Sequence, residues 1–390
     1  MTTHSISQKS STLWNPSFLF VVLSNALLFM VFEMMLPTLP LFVTELGGKA
    51  NQVGLVTGAF MFSAILIRPF ASLLAHKLNK KYLLLIGIGI SALCTGAYYL
   101  STDIYMLLII RVVHGIGFGI ASTFFATIAA ENIPIERRGE GIGYFGVGET
   151  IAISLGPLLG IAILQSSNFI TLFGGGMTLL FLSLIMGLFI KKKPLNMDEG
   201  KEKKVEFKLL EKKVLFPSLL IFLVGIAASG IMSFISLYAI EQGFQYVGWF
   251  FFIIALASFM IRLVSGKIFD EFGHAYILIP SAILSTIGLF ILYGATTNFS
   301  FFLAAVFYGL GFGAIFPAIQ TWCLNLVMED EHEDAMSSFF NFFDLGIGGG
   351  SLLLGIVATL FTYQIIYLIA IFMYVTFLIL YIGYIKMRRN

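Results

Sequence analysis

Twelve long apolar segments occupy most of this chain of 390 residues. A helix needs about 20 mostly apolar residues to cross the hydrocarbon core of a bilayer. The segments are continuously apolar and do not alternate with a period of two, so they predict helices and not strands. Only 11% of the residues are charged, whereas soluble domains have roughly 25%. We therefore predict an all-α integral membrane protein with spans at 17–44, 53–75, 81–100, 104–131, 141–165, 169–190, 215–240, 246–268, 275–296, 299–326, 335–361 and 364–385.

The basic residues are concentrated on one side of these spans. If the N-terminus is cytoplasmic, 19 of the 23 Lys and Arg residues lie in cytoplasmic loops or tails, and only Lys49 lies in an outer loop. This bias predicts a multi-pass protein of the cell membrane, of bacterial type, with both termini in the cytoplasm. The charged stretch after the sixth span predicts a cytoplasmic linker. The predicted regions are an N-terminal tail at 1–16, a bundle at 17–190, the linker at 191–214, a second bundle at 215–385 and a tail at 386–390.

The two halves of the chain resemble each other at a constant offset of 194 residues. Arg68 then aligns with Arg262, and Gly156 aligns with Gly350. The segment HGIGFG, which begins at His114, aligns with YGLGFG in the second half. Many secondary transporters built from internal repeats hold one binding site between two movable bundles. The repeat therefore predicts two pseudo-symmetric six-helix bundles.

Glycine motifs mark the fourth and fifth spans. The fourth contains R-x-x-x-G-x-G, formed by Arg111, Gly115 and Gly117. The fifth contains a glycine–proline motif, formed by Gly143, Gly156, Pro157 and Gly160. Small residues let membrane helices approach closely, so these motifs predict helix packing, with a hinge at the proline as a further hypothesis.

A loop signature follows the eighth span, with Gly266, Asp270 and Gly273. Together with the two glycine motifs, it resembles the major facilitator superfamily, and within it the drug:proton antiporter branch. The resemblance covers nearly the whole chain and implies the twelve-helix fold of that family and coupling to protons. The first half departs from the pattern, because His76 stands where the family has an acid. Histidine cannot supply a permanent negative charge, which puts the usual charge contacts of that loop in question.

Five ionisable residues inside the spans are candidates for proton coupling or substrate binding: Glu33, Arg111, His114, Glu149 and Asp344. A charge at the centre of a membrane helix costs at least ~2.5–3.5 kcal/mol, so it indicates function by default. Glu33 and Arg111 lie at similar depth on spans that line the cavity of the resembled fold, and we expect them to approach each other. A change of conformation can then switch the protonation of Glu33. A fixed ion pair between two helices is the alternative.

The other candidates also have two interpretations each. His114 can serve in a proton relay or be a hydrogen-bonded histidine without a transport role. Glu149 and Asp344 can line the inner vestibule or accept hydrogen bonds from an inner gate. Arg68 and Arg262 can clamp a gate or extend their side chains to the membrane interface.

Aromatic residues, which are 15% of the chain, suggest an adaptable apolar pocket. Rings attract cations through their quadrupole and also bind apolar groups. The predicted pocket residues are Phe29, Phe32, Tyr238, Tyr308, Phe312 and Trp322.

The leading functional hypothesis is a proton-coupled exporter of small amphipathic or cationic compounds, working as a monomer without a cofactor or metal. The alternative is a dedicated exporter or proton symporter of one metabolite such as a metallophore, a sugar or an amino-acid derivative, with a more polar cavity. A lipid flippase or a non-transporting membrane sensor is the third functional hypothesis. The chain has no G-x4-G-K-[ST] loop, so we expect no use of ATP and no enzyme activity. A net charge of only +2 gives no field for binding nucleic acid.

Overall fold

The computed structural model describes residues 13–75, 77–134, 137–191, 210–328 and 331–389. His76, most of the N-terminal tail and most of the predicted linker lie outside the described residues. Gly143 belongs to a described helix, but its packing is not described. The described part contains twelve helices that are long and apolar enough to cross a membrane. Their bounds are α1 Pro16–Glu45, α2 Ala50–Leu74, α3 Lys80–Ala97, α4 Ile104–Asn132, α5 Arg138–Ser166, α6 Phe169–Leu188, α7 Leu215–Gln242, α8 Val247–Phe272, α9 Ala275–Tyr293, α10 Asn298–Asn325, α11 His332–Leu360 and α12 Tyr363–Arg389. The predicted twelve-helix all-α membrane fold is confirmed.

Polar residues at the helix starts satisfy backbone N–H groups that have no partner within the helix. The side chain of Asn15 accepts a hydrogen bond from the backbone N–H of Phe18 at the start of α1. Asp103 accepts two such bonds at the start of α4. These caps set where each span begins, because an unpaired N–H group is costly near the hydrocarbon.

Each half of the chain packs as a six-helix bundle. In the first half α1 packs on α5 and α6, and α4 packs on α2 and α3. In the second half α7 packs on α11 and α12, and α10 packs on α8 and α9. The same pairs, shifted by six helices, hold both bundles together, as the repeat predicts. Because consecutive spanning helices run antiparallel, the start of α1 and the end of α12 share one face of this arrangement, here called the terminal face. The opposite face is the distal face.

The two bundles meet along α2–α11, α5–α8 and α1–α7. The α2–α11 contact is tight at the distal face, where the backbone N–H of Asn51 donates to Oγ1 of Thr359 over 2.9 Å. A methyl group placed on Gly355 would lie 2.6 Å from the carbonyl oxygen of Ala50. Glycine is therefore needed for these helices to approach so closely.

Candidate substrate and proton site

An ion pair joins the two bundles between α2 and α11. Nη2 of Arg68 lies 2.7 Å from Oδ2 of Asp344, and Nη1 donates to Oδ1 of Asn341 over 2.5 Å. The two charged side chains are only 18% and 17% exposed. Because one guanidinium group is shared by two acceptors on α11, it holds α11 in one position relative to α2. A gate clamp was one of the two sequence-based interpretations of Arg68, and it stays a prediction; the structure shows the contact between the two bundles that such a clamp requires.

Glu149 on α5 is held by α1. Nδ2 of Asn25 donates to Oε1 of Glu149 over 3.1 Å. Asp344 interacts electrostatically with both Glu149 and Glu33. Asp344 therefore repels each of the other two carboxyl groups when both partners are charged, and a cation or a proton between them relieves this repulsion.

Glu33 lies near the middle of α1 and is 5% exposed. Its Oε2 has no hydrogen-bond partner in the described part of the chain. A methyl group placed on Gly156 would lie 2.5 Å from Cβ of Glu33, so the glycine of α5 makes room for the acidic side chain. A buried carboxyl group without a partner can become neutral by taking up a proton.

Arg111 does not pair with Glu33 in this conformation, so the expected approach of these two groups is corrected. Nη1 of Arg111 donates to the hydroxyl of Tyr98 over 3.1 Å, and Nε donates to the carbonyl oxygen of Val56 over 3.2 Å. The guanidinium carbon lies 4.1 Å from the ring centroid of Phe60. The charge is thus stabilised by a cation–π contact and neutral acceptors inside the first bundle.

His114 belongs to the same buried cluster. Its Nδ1 lies 2.5 Å from the hydroxyl oxygen of Tyr98, and its ring meets that of Phe60 edge to face. The side chain is 2% exposed. Arg111, Tyr98 and His114 therefore form one polar network in the core of the first bundle.

A small cavity of about 40 Å³ lies between α5 and α8, with α7 and α10 contributing to its wall. Its apolar wall includes Ile153 and Pro157 of α5 and Phe251 of α8. Tyr308 and Phe312 of α10 also line it, and their rings stack at 5.8 Å with an interplanar angle of 8°. Small-molecule sites have a similar, largely apolar lining but are larger, at roughly 300–1,000 Å³. In this conformation the cavity has room for water-sized groups only.

The remaining four aromatic residues predicted for the pocket do not line this cavity. The ring of Trp322 stacks on His274 at 4.4 Å, and the hydroxyl of Tyr238 donates to the carbonyl oxygen of Leu292 over 2.9 Å. Both hold the second bundle together. Phe29 and Phe32 pack on Phe118 within the first bundle. Single-sequence reasoning placed all six together because it cannot assign the rotation of each helix about its axis.

Arg262 lines the cavity, and its Nε donates to the carbonyl oxygen of Gly313 over 3.1 Å. Its bond therefore stays within the second bundle, unlike that of Arg68. The loop motif lies beyond it, with Gly266 and Asp270 exposed on α8. Gly273 ends that helix with φ of +83°, a conformation that glycine adopts without strain.

The other glycines of the two motifs bring neighbouring helices close together. A methyl group placed on Gly160 would lie 2.6 Å from the carbonyl oxygen of Met34. One placed on Gly117 would lie 3.0 Å from that of Gly87, and one on Gly115 would overlap the backbone of Phe60. The motifs therefore place α5 against α1, and α4 against α2 and α3.

Two polar residues of the site were not predicted from the sequence, because neither of them is charged. Asn25 binds Glu149, and Tyr98 joins Arg111 to His114. An uncharged polar residue inside a long apolar span was the available signal for Asn25. Tyr98 gave no such signal, because tyrosine is common near span ends.

Comparison with known proteins gives consistent results. The model of the Major Facilitator Superfamily matches residues 21–351 and 218–389. The chain is 27% identical over 304 residues to the multi-drug resistance efflux pump PmrA of Streptococcus pneumoniae, covering 74% of this chain and 75% of that protein. It is 23% identical over 352 residues to the staphylopine export protein of Staphylococcus aureus, covering 85% and 86%. The crystal structure of the nucleoside transporter NupG has a similar fold, with a TM-score of 0.72, 14% identity and coverage of 94% and 99%.

Proposed function

Because this chain belongs to the major facilitator superfamily, we propose that it is a secondary active transporter that exports small amphipathic or cationic compounds in exchange for protons. The similarity to a multi-drug resistance efflux pump and to a staphylopine export protein supports export. The chain spans the cell membrane many times. In the proposed orientation both termini are cytoplasmic, since that places 19 of the 23 basic residues on the cytoplasmic side.

The observation that carries proton coupling is the buried carboxyl group of Glu33, whose Oε2 has no partner among the described residues. A charge at this depth is costly unless it is paired or neutralised. Protonation neutralises it in one conformation, and access to water in another releases the proton. Alternating access then links the movement of the proton to that of the substrate.

The apolar lining of the cavity supports amphipathic substrates over one polar metabolite. The more polar cavity of the alternative hypothesis would draw on Gln320, Asn325 and Asn341. Instead Nε2 of Gln320 lies 3.7 Å from Sδ of Met336, and Asn341 is bound by Arg68. Neither side chain lines the cavity between α5 and α8.

The α2–α11 contacts support an alternating-access cycle for a monomer. The helices are in close contact at the distal face, and the Arg68–Asp344 pair lies closer to the terminal face. We propose that the distal contact and the ion pair open and close as the two bundles rock about the central site.

The test uses purified protein in liposomes with an imposed pH gradient, acidic on the side toward which the dye is exported. Wild-type protein should drive the accumulation of a fluorescent cationic dye, and Glu33→Gln should reduce this accumulation at least about tenfold while the dye still binds. Glu45→Gln, the same change at an exposed position of α1, is the matched control. Gradient-driven accumulation by Glu33→Gln at the wild-type rate would disprove the role of Glu33, and none by wild type for a broad dye panel would disprove export.

A further inference from the structure

Arg262 is a cation without a carboxylate partner among the described residues, at a depth where a partner is expected. It lies ten residues before the end of α8, which corresponds to about 15 Å along the helix axis. Its Nε donates to the carbonyl oxygen of Gly313, and neither Nη group has a hydrogen bond or ion pair within the described part of the chain. Its repeat mate Arg68 uses both of its Nη groups, on Asn341 and Asp344.

Arg262 lines the α5–α8 cavity together with mostly apolar side chains. Arg262 is the one charged residue among the described residues that line the cavity, whose wall includes Phe251, Ile254 and Phe312. The hydrogen bond from Nε of Arg262 to Gly313 and the packing of α8 on α10 hold the guanidinium group in place. Guanidinium binds carboxylate with two parallel N–H···O bonds, and such charge-assisted bonds are about twice as strong as neutral ones.

From this geometry we infer that the α5–α8 cavity, enlarged when the two bundles move apart, binds small amphipathic molecules that carry a carboxylate, with Arg262 as the carboxylate-binding residue. The apolar body of the ligand lies against the aromatic wall, and the carboxylate meets the Nη groups. The inference rests on the proposed function and adds carboxylates to its substrates, including those that also carry an amine. An amine on the same molecule is complementary to the acidic residues Glu33, Glu149 and Asp344.

The experiment compares two fluorescent probes that differ only in the charged group, dansyl-glycine and its methyl ester. Binding is measured at equilibrium to the full-length protein in phosphatidylcholine nanodiscs, without a pH gradient. Wild-type protein should bind the acid at least about tenfold more tightly than the ester. Equal affinities for the two probes would overturn the inference without any variant being made.

Variants then test whether Arg262 is the source of the preference. Arg262→Gln should bind the acid at least about tenfold more weakly and leave the affinity for the ester unchanged, and Arg262→Lys should keep part of the preference. Lys267→Gln, which removes the same charge from an exposed position of α8, is the matched control. A loss of preference in Lys267→Gln equal to that in Arg262→Gln would assign the effect to the general field of the helix and overturn the role of Arg262.

The anionic group that Arg262 binds can also come from a phospholipid headgroup. Changing the lipid of the nanodisc distinguishes a lipid from a small-molecule ligand. Unchanged affinity for dansyl-glycine in phosphatidylglycerol nanodiscs supports a small-molecule ligand. Loss of that binding identifies an anionic lipid as the occupant and overturns the assignment. Because binding needs no gradient, a protein that prefers the acid but moves no dye would disprove only the proposed export.

Discussion

The α2–α11 and α5–α8 interfaces are related by the 194-residue repeat, yet only the first is closed along its length. Gly54 of α2 and Gly248 of α8 are repeat mates. A methyl group on Gly54 would lie 2.9 Å from the carbonyl carbon of Ser351 and 3.1 Å from Cα of Leu352. On Gly248 it would come no closer than 3.4 Å, to Cγ2 of Ile161.

The charged contacts of the two interfaces differ as well, and again the α2–α11 interface is the more firmly joined of the two. Arg68 crosses to Asp344 of the other bundle, whereas Arg262 bonds within its own bundle. The sequence contains the reason, because the repeat mate of Asp344 is Thr150. One interface is therefore a clamp and the other leaves a cavity with an available cation. Two halves built from one repeat therefore meet through two interfaces of different character, one joined by an ion pair and one that contains a cavity.

The largest expected difference concerns the two arginines. Arg68→Gln leaves the carboxylate of Asp344 without its partner at a mostly buried position, and breaking such a pair costs about 3–5 kcal/mol. Arg262→Gln loses one bond to a carbonyl and should cost about 1 kcal/mol. Thermal unfolding of both variants in detergent measures the difference. Adding Asp344→Asn to Arg68→Gln should recover much of the loss, and equal costs for the two single variants would contradict the comparison.

The two repeat-related glycines provide the next test. Gly54→Ala must push α2 away from the backbone of α11, and such overpacking costs about 1–3 kcal/mol. Gly248→Ala meets only ordinary contacts and should leave stability nearly unchanged. Spin labels on the distal ends of α2 and α11 should show a longer distance in Gly54→Ala alone. If both variants behave alike, the α2–α11 interface is not the tighter one.

The smallest expected effect compares one buried tyrosine from each bundle. Tyr98→Phe removes the hydroxyl that meets His114 and Arg111, which should cost about 1–2 kcal/mol because buried polar partners are left unsatisfied. The hydroxyl of Tyr367 has no partner among the described residues, so Tyr367→Phe should be neutral or slightly stabilising. The shift in unfolding midpoint measures both. A larger loss in Tyr367→Phe would show that an unseen partner, such as water, binds its hydroxyl.

Much of the site followed from the rule that charges are rare inside a bilayer. That rule selected Glu33, Glu149 and Asp344, which interact electrostatically in the structure. It failed for the pairing of Glu33 with Arg111, since equal depth on two helices does not determine which way each side chain points. Arg111 bonds to Tyr98 and Val56 instead. Helix rotation was also the reason why Trp322 and Tyr238 were assigned to a pocket that they do not line.

The sequence by itself determined the twelve spans, because lipid requires long apolar helices whose backbone groups are bonded internally. It also determined the two-bundle plan, because a repeat without gaps gives both halves the same helix pairs. Only the tertiary structure decided which residues face one another across the bundles. The Arg68–Asp344 pair joins residues that are 276 positions apart. The rotation and approach of packed helices depend on all their contacts together, so the clamp and the cavity emerge only in the folded protein.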